Sequence, residues 1–260
     1  MGLAFERLGS GPPLVLLHGV GHRRQAWGAV LGRLTPHRDV VLVDLPGHGD
    51  SPPLRLAGRP VLEALLDEVI GLLDELGLER PHLAGNSLGG RLALEAGASG
   101  RAASATALSP AGFWRNQREI SYARAVFKIM EFTGRRVVPL APAMSRSSAG
   151  RAVMYSTIVS RPSRMSPDQA QGDVVAFVAA SEAIHAVLTG ITPFTGTVPA
   201  GVPVTIAWGT RDRLLPQRQV LVAKARLPQA RFVPLHGCGH VPMTDDPALV
   251  ADVLLRGSGH

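Results

Sequence analysis

Three side chains far apart in the chain have the chemistry to cut an acyl bond together: Ser87, in Gly85-Asn86-Ser87-Leu88-Gly89, with Asp212 and His240. A serine hydroxyl is a poor nucleophile at neutral pH, so it needs a base to take its proton and a turn that exposes it. Imidazole is suited to that proton, and a carboxylate accepting its other N–H fixes the tautomer and steadies the imidazolium. Attack on a carbonyl also creates an oxyanion, which backbone N–H groups stabilise by several kcal/mol. Two donors are predicted: Leu88, directly after the serine at a helix start, and Val20 in His18-Gly19-Val20-Gly21.

Placing these groups requires a strand running into a helix at Ser87. His82-Leu83-Ala84 supplies the strand and 91–96 the helix, with Gly85, Gly89 and Gly90 allowing close approach. Leu14–Leu17 and Val40–Asp44 are short apolar runs ending in glycine-rich turns, as strands buried on both faces should be. His22 to Leu34 reads as a helix between them. In 61–76, Leu62, Leu65, Leu66, Val69, Leu73 and Leu76 share one helical stripe, with Glu63, Asp67, Glu68 and Asp74 turned away. Further strands are predicted at 105–108, 202–208 and 230–235, and helices at 217–226 and 248–255. This alternation implies an α/β fold with a doubly wound, mostly parallel sheet, ligands lying at the carboxyl ends of the strands. Asp212 then follows one late strand and His240 the next.

From about Phe113 to Phe194 the pattern is helical, broken at Gly134, Pro139, Pro142, Gly150, Pro162, Pro167 and Gly190. The expected organisation is a core of 1–112 and 197–260, with 113–196 inserted as a helical cap. Phe113, Trp114, Met130, Phe132, Met154, Tyr155, Phe177 and Phe194 are candidates to line a pocket beneath it, though helical residues of this kind serve packing more often. Substrate-binding residues are not assignable individually.

With 260 residues and 45% hydrophobic residues, the chain can bury one sizeable core. Cys238 is its only cysteine, which leaves no disulfide framework, and Cys/His pairs with zinc spacing are absent. The first residues lack a basic segment followed by a long apolar stretch, so a cytoplasmic protein without stable membrane insertion is expected. The net charge of +7 is almost wholly arginine, Lys128 and Lys224 being the only lysines. These arginines are scattered without a basic run or interleaved aromatics, which argues against nucleic acid as a partner. Between Trp114 and Gly196, ten Lys/Arg stand against five Asp/Glu. A solvated arginine face is the expected reading, an acidic substrate the alternative.

Several polar residues are set aside. His18 and His48 are expected to brace loops, and His22 faces substrate only as a minor alternative. Asp44 and Asp50 flank a Pro-Gly turn where aspartate bonds local backbone. Cys238 is expected to be a small buried hydrophobe.

The motifs His18-Gly19-Val20-Gly21, Asp44-Leu45-Pro46-Gly47-His48-Gly49-Asp50-Ser51, the Ser87 pentapeptide, Trp208-Gly209-Thr210-Arg211-Asp212 and Gly239-His240 occur in order. On them the chain resembles the α/β-hydrolase superfamily over nearly its whole length. Within that superfamily it looks like the serine-nucleophile group of esterases, cofactor-free haloperoxidase-like enzymes and C-C bond hydrolases. A serine at position 87 argues against the dehalogenase and epoxide hydrolase branches, which use aspartate there. The resemblance implies a serine esterase acting on a small apolar substrate, with Ser87, His240 and Asp212 catalytic and no cofactor or metal required. Cleavage of a vinylogous diketone C-C bond, a lactone or a thioester is the alternative chemistry. A ligand receptor on the same fold is the non-enzymatic one. Oligomeric state is left open.

Overall fold

In the computed structural model, which describes residues 2–259, seven strands form one sheet: β1 (Phe5–Gly9), β2 (Pro13–Leu17), β3 (Asp39–Val43), β4 (His82–Asn86), β5 (Ser104–Leu108), β6 (Val204–Gly209) and β7 (Arg231–Leu235). Their spatial order is β1-β3-β2-β4-β5-β6-β7. Every pairing is parallel except β1 with β3. The sheet is therefore doubly wound and mostly parallel, as the strand and helix alternation predicts. Strands β2 and β3 are unbroken Val- and Leu-rich runs because helices cover both faces, whereas β5 alternates Ser104 and Thr106 with Ala105 and Ala107 although all four are buried.

Six helices flank the sheet: α1 (Gly28–Leu34), α2 (Val61–Glu75), α3 (Leu88–Ala98) and, after the insertion, α9 (Val220–Arg226), α10 (Pro242–Asp245) and α11 (Pro247–Gly257). Between β5 and β6 the described residues form only helices and turns: α4 (Gln117–Val137), α5 (Ala141–Met144), α6 (Ser148–Tyr155), α7 (Pro167–Ala179) and α8 (Ser181–Gly190). Their starts are written in side chains that accept an otherwise orphaned N–H. Asn116 caps α4 through Glu119 N, Ser147 caps α6 through Gly150 N, and Ser166 caps α7 through Gln169 N. The insertion is closed on itself where the Phe127 ring of α4 stacks near Phe177 of α7, with centroids 6.2 Å apart. No single helix among the described residues is long and apolar enough to cross a membrane; α7 and α8 together pass that test only across a 65° bend.

Two elements depart from the sequence reading. Strand β1 has no counterpart in it, because all five of its side chains are exposed and it carries no burial pattern to read. It is fastened to β3 by Arg7, whose Nε lies 3.0 Å from both carboxylate oxygens of Asp39. The helix expected from His22 begins later, as a 3-10 turn at Arg24–Trp27 leading into α1. His22 N donates to Gly19 O and Arg24 N to Asp44 Oδ1, so the first residues belong to a loop stitched to the neighbouring strand end.

Candidate active site

Ser87 sits where β4 turns into α3 at the carboxyl edge of the sheet, with φ 55° and ψ −111°. A left-handed φ is strained for a residue with a Cβ and is held only where the surroundings fix it. The neighbouring glycines show how. A Cβ at Gly85 would lie 2.2 Å from Gly89 C, and one at Gly89 would lie 2.1 Å from Leu17 O, so strand, helix and the end of β2 meet with no room for a side chain.

The loop after β2 backs onto this turn, since a Cβ at Gly19 would sit 3.2 Å from Ser87 Cβ. Among the described residues no protein acceptor takes the N–H of Val20 or of Leu88. His240 lies on the loop after β7, and its Nδ1–H donates to Asp212 Oδ2 at 2.8 Å. Asp212 Oδ1 accepts from Leu214 N at 2.9 Å and Leu215 N at 2.8 Å. The carboxylate is thus aimed by its own turn, and it pairs with the imidazole instead of Arg211 or Arg213. Ser87, His240 and Asp212 are all buried. With Nδ1 committed to a carboxylate, Nε2 is the nitrogen left to take a proton.

Asn86 joins these parts. Its Nδ2 donates to Leu108 O at 3.1 Å and to His240 O at 2.9 Å, tying the serine turn to β5 and to the histidine loop. A second fastening comes from fully buried Asp245. Its carboxylate accepts Gly239 N at 2.7 Å, Ser160 N at 3.0 Å and Arg161 N at 2.6 Å. Val241 N also donates to Ile158 O. The histidine loop is therefore anchored to the inserted segment around 158–161. Neither anchor was assigned from sequence, and for Asp245 no local motif exists that could have revealed it.

His18 and His48 act as braces. Leu45 N donates to His18 Nε2 at 3.0 Å, His18 Nδ1–H donates to Gly19 O at 2.8 Å, and His48 Nδ1–H donates to Pro46 O at 3.0 Å. Asp44 accepts Asp50 N at 3.0 Å and pairs with Arg24. Burial holds both imidazoles neutral, pushing His18 well down and His48 down to about 4. A depressed histidine stabilises the fold above its unfolded pKa of about 6.5 and loses that contribution as pH falls toward the folded value. His48 alone should withdraw about 2 kcal/mol between pH 7 and pH 5. His18 acts in the same direction. Urea unfolding at pH 7, 6 and 5 should show a falling midpoint, with a shallower fall in His48→Gln.

Cys238 is buried and its thiol is pushed up to about 12, chiefly by burial, which makes it an inert core residue. The cavity at Ser87 is about 20 Å³, room for about one water. Its walls are Gly19, Val20, His22, Asn86, Phe127, Met130, Ile158, Phe177, Leu214, His240 and Val241. Met130 and Phe177 were among the sequence candidates for this lining. Phe132 is exposed, Tyr155 is packed in the core, and Phe127, Ile158 and Leu214 were missed. Among the described residues no Arg, Lys, Asp or Glu lines the cavity. Four arginines of the insertion are used elsewhere: Arg124 donates to Leu188 O at 2.7 Å, Arg151 to Ser145 O at 2.7 Å, and Arg161 and Arg164 to Asp245 O.

A family model described as the Alpha/beta hydrolase family matches residues 14–253, which take in β2 from its second residue, β3 to β7, and Ser87, Asp212 and His240. The chain belongs to this family. As an alpha/beta hydrolase it is similar to an uncharacterized protein of Mycobacterium tuberculosis (strain H37Rv), 29% identical over 97% of this chain and 77% of that protein. It is also similar to the pimeloyl-[acyl-carrier protein] methyl ester esterase of Aeromonas hydrophila, 44% identical over 95 residues, which are 36% of this chain and 35% of that one. Among solved structures, a thermophilic esterase from Thermogutta terrifontis superposes with a TM-score of 0.71 at 21% identity, over 98% of this hydrolase and 92% of the esterase. That likeness concerns the fold.

Proposed function

We propose that this hydrolase cleaves the carboxylic ester of a small, uncharged, apolar substrate, with the helical insertion serving as the cap over the site. The observation that carries the reading is a strained, buried Ser87 beside an Asp212–His240 pair, in a cavity walled by Phe127, Met130, Ile158, Phe177 and Leu214 with no charged side chain. Ser87 Oγ attacks the ester carbonyl while His240 Nε2 takes its proton. Val20 N–H and Leu88 N–H receive the developing oxyanion, neither having a protein acceptor among the described residues. His240 then gives the proton to the departing alcohol, leaving an acyl-Ser87. Water attacks that ester with His240 as base, and the acid is released.

The uncharged wall favours an ester over a dienoate substrate of the C-C hydrolase type, whose carboxylate would be desolvated here without a cation. The esterase among the relatives is in keeping with this. A fluorophosphonate probe should label the folded protein at Ser87, and short p-nitrophenyl esters should be hydrolysed. Absence of labelling in protein with an intact cooperative unfolding transition would overturn the proposal. Preference for a charged dienoate over the esters would move the chemistry to C-C cleavage.

A further inference from the structure

We propose that the outer face of α4 docks the protein on an anionic lipid surface. Arg118, Tyr122, Ala125, Ile129, Phe132 and Arg136 follow each other at spacings of four, three, four, three and four, which lines them along one side of the helix. This side faces solvent: Tyr122 is 46% exposed, Ile129 62% and Phe132 59%. One turn further on, Leu140 continues the line and is also exposed. A row of large apolar side chains in water is unusual for a lone surface helix and marks an interaction site.

The charge beside the row gives its partner. Helix α4 carries five Lys/Arg against two Glu. Glu119 turns inward to Arg218 and Gln219, and Glu131 is neutralised by Arg135. Arg118 and Lys128 are exposed and have no ion-pair partner among the described residues. The Arg136 guanidinium lies 3.6 Å from the centroid of the exposed Phe132 ring, so cation and aromatic are offered together. Apolar side chains on a convex helix, edged by arginine and lysine, suit insertion at the headgroup boundary of an anionic membrane. The opposite side of the same helix presents Phe127 and Met130 to the cavity, so only one helix would separate a docked membrane from the site.

Cosedimentation with phosphatidylcholine vesicles, with and without about one third phosphatidylglycerol, tests this without reference to catalysis. Binding to the anionic vesicles should exceed that to neutral ones by about tenfold and weaken severalfold in 0.5 M salt. Ile129→Asp with Phe132→Asp, and separately Lys128→Glu with Arg136→Glu, should each lower it by about tenfold. Fluorophosphonate labelling and melting temperature in solution should stay as in the parent protein. Failure to bind, equal binding to both vesicles, or binding untouched by the variants would overturn the proposal. A solution dimer dispersed by Phe132→Asp, with no lipid binding, would assign the face to a second copy instead.

Discussion

Ser87→Ala is expected to lower kcat for p-nitrophenyl butyrate by about 10⁴-fold or more, with the fold and substrate binding retained. In the proposed mechanism the nucleophile, its base and the orienting carboxylate act as a unit, so loss of the hydroxyl would leave only binding and the two proposed backbone donors to assist water. Alanine keeps a Cβ at φ 55°, and stability should change little. Ser87→Gly separates the two roles of this position. Activity is lost equally, but release of the left-handed strain should raise stability by about 1 kcal/mol. Steady-state kinetics and urea denaturation of the pair check both statements. Residual activity of Ser87→Ala within tenfold of the parent would remove Ser87 from the mechanism.

The second large effect is on stability. Gly89→Ala should destabilise the protein by at least about 3 kcal/mol and abolish activity, because its Cβ would fall 2.1 Å from Leu17 O and 2.5 Å from Leu17 C. Both are backbone atoms of a buried central strand, which cannot turn aside as a flexible side chain would. The contrast is Gly71, exposed in α2 with nothing within 4 Å of its Cβ position. Gly71→Ala should stabilise by about 0.5–1 kcal/mol through helix propensity and a less flexible unfolded chain. Thermal unfolding should therefore move in opposite directions for the same chemical change.

Much of the site could be read from the sequence where chemistry imposes a local signature. Gly85, Gly89 and Gly90 around Ser87 report a close packing that only glycine permits, and Asp212 and His240 follow consecutive strands at the sheet edge that carries Ser87. Strands β2 and β3 were legible because burial on both faces produces nearly unbroken apolar runs. What escaped is what tertiary packing decides. Phe127 and Ile158 are ordinary apolar residues until α4 and the 158–161 segment are laid over Ser87. Asp245 resembles any helix-end acid until the N–H groups of remote Ser160 and Arg161 and of nearby Gly239 converge on it. The late start of α1 has the same origin, since the Arg24 N–H is claimed by Asp44, twenty residues ahead in sequence.

The Asp245 junction also sets where this architecture can be cut and exchanged. The insertion leaves and re-enters the sheet between β5 and β6, yet its 158–161 segment shares a carboxylate with the residue preceding His240. A transplanted insertion joined only at those two strand ends would leave the Asp245 carboxylate without the Ser160 and Arg161 N–H groups and the Val241 N–H without Ile158 O, loosening the loop that carries the imidazole. The unit expected to transfer intact is the insertion together with 236–246, two stretches remote in sequence that share one set of hydrogen bonds.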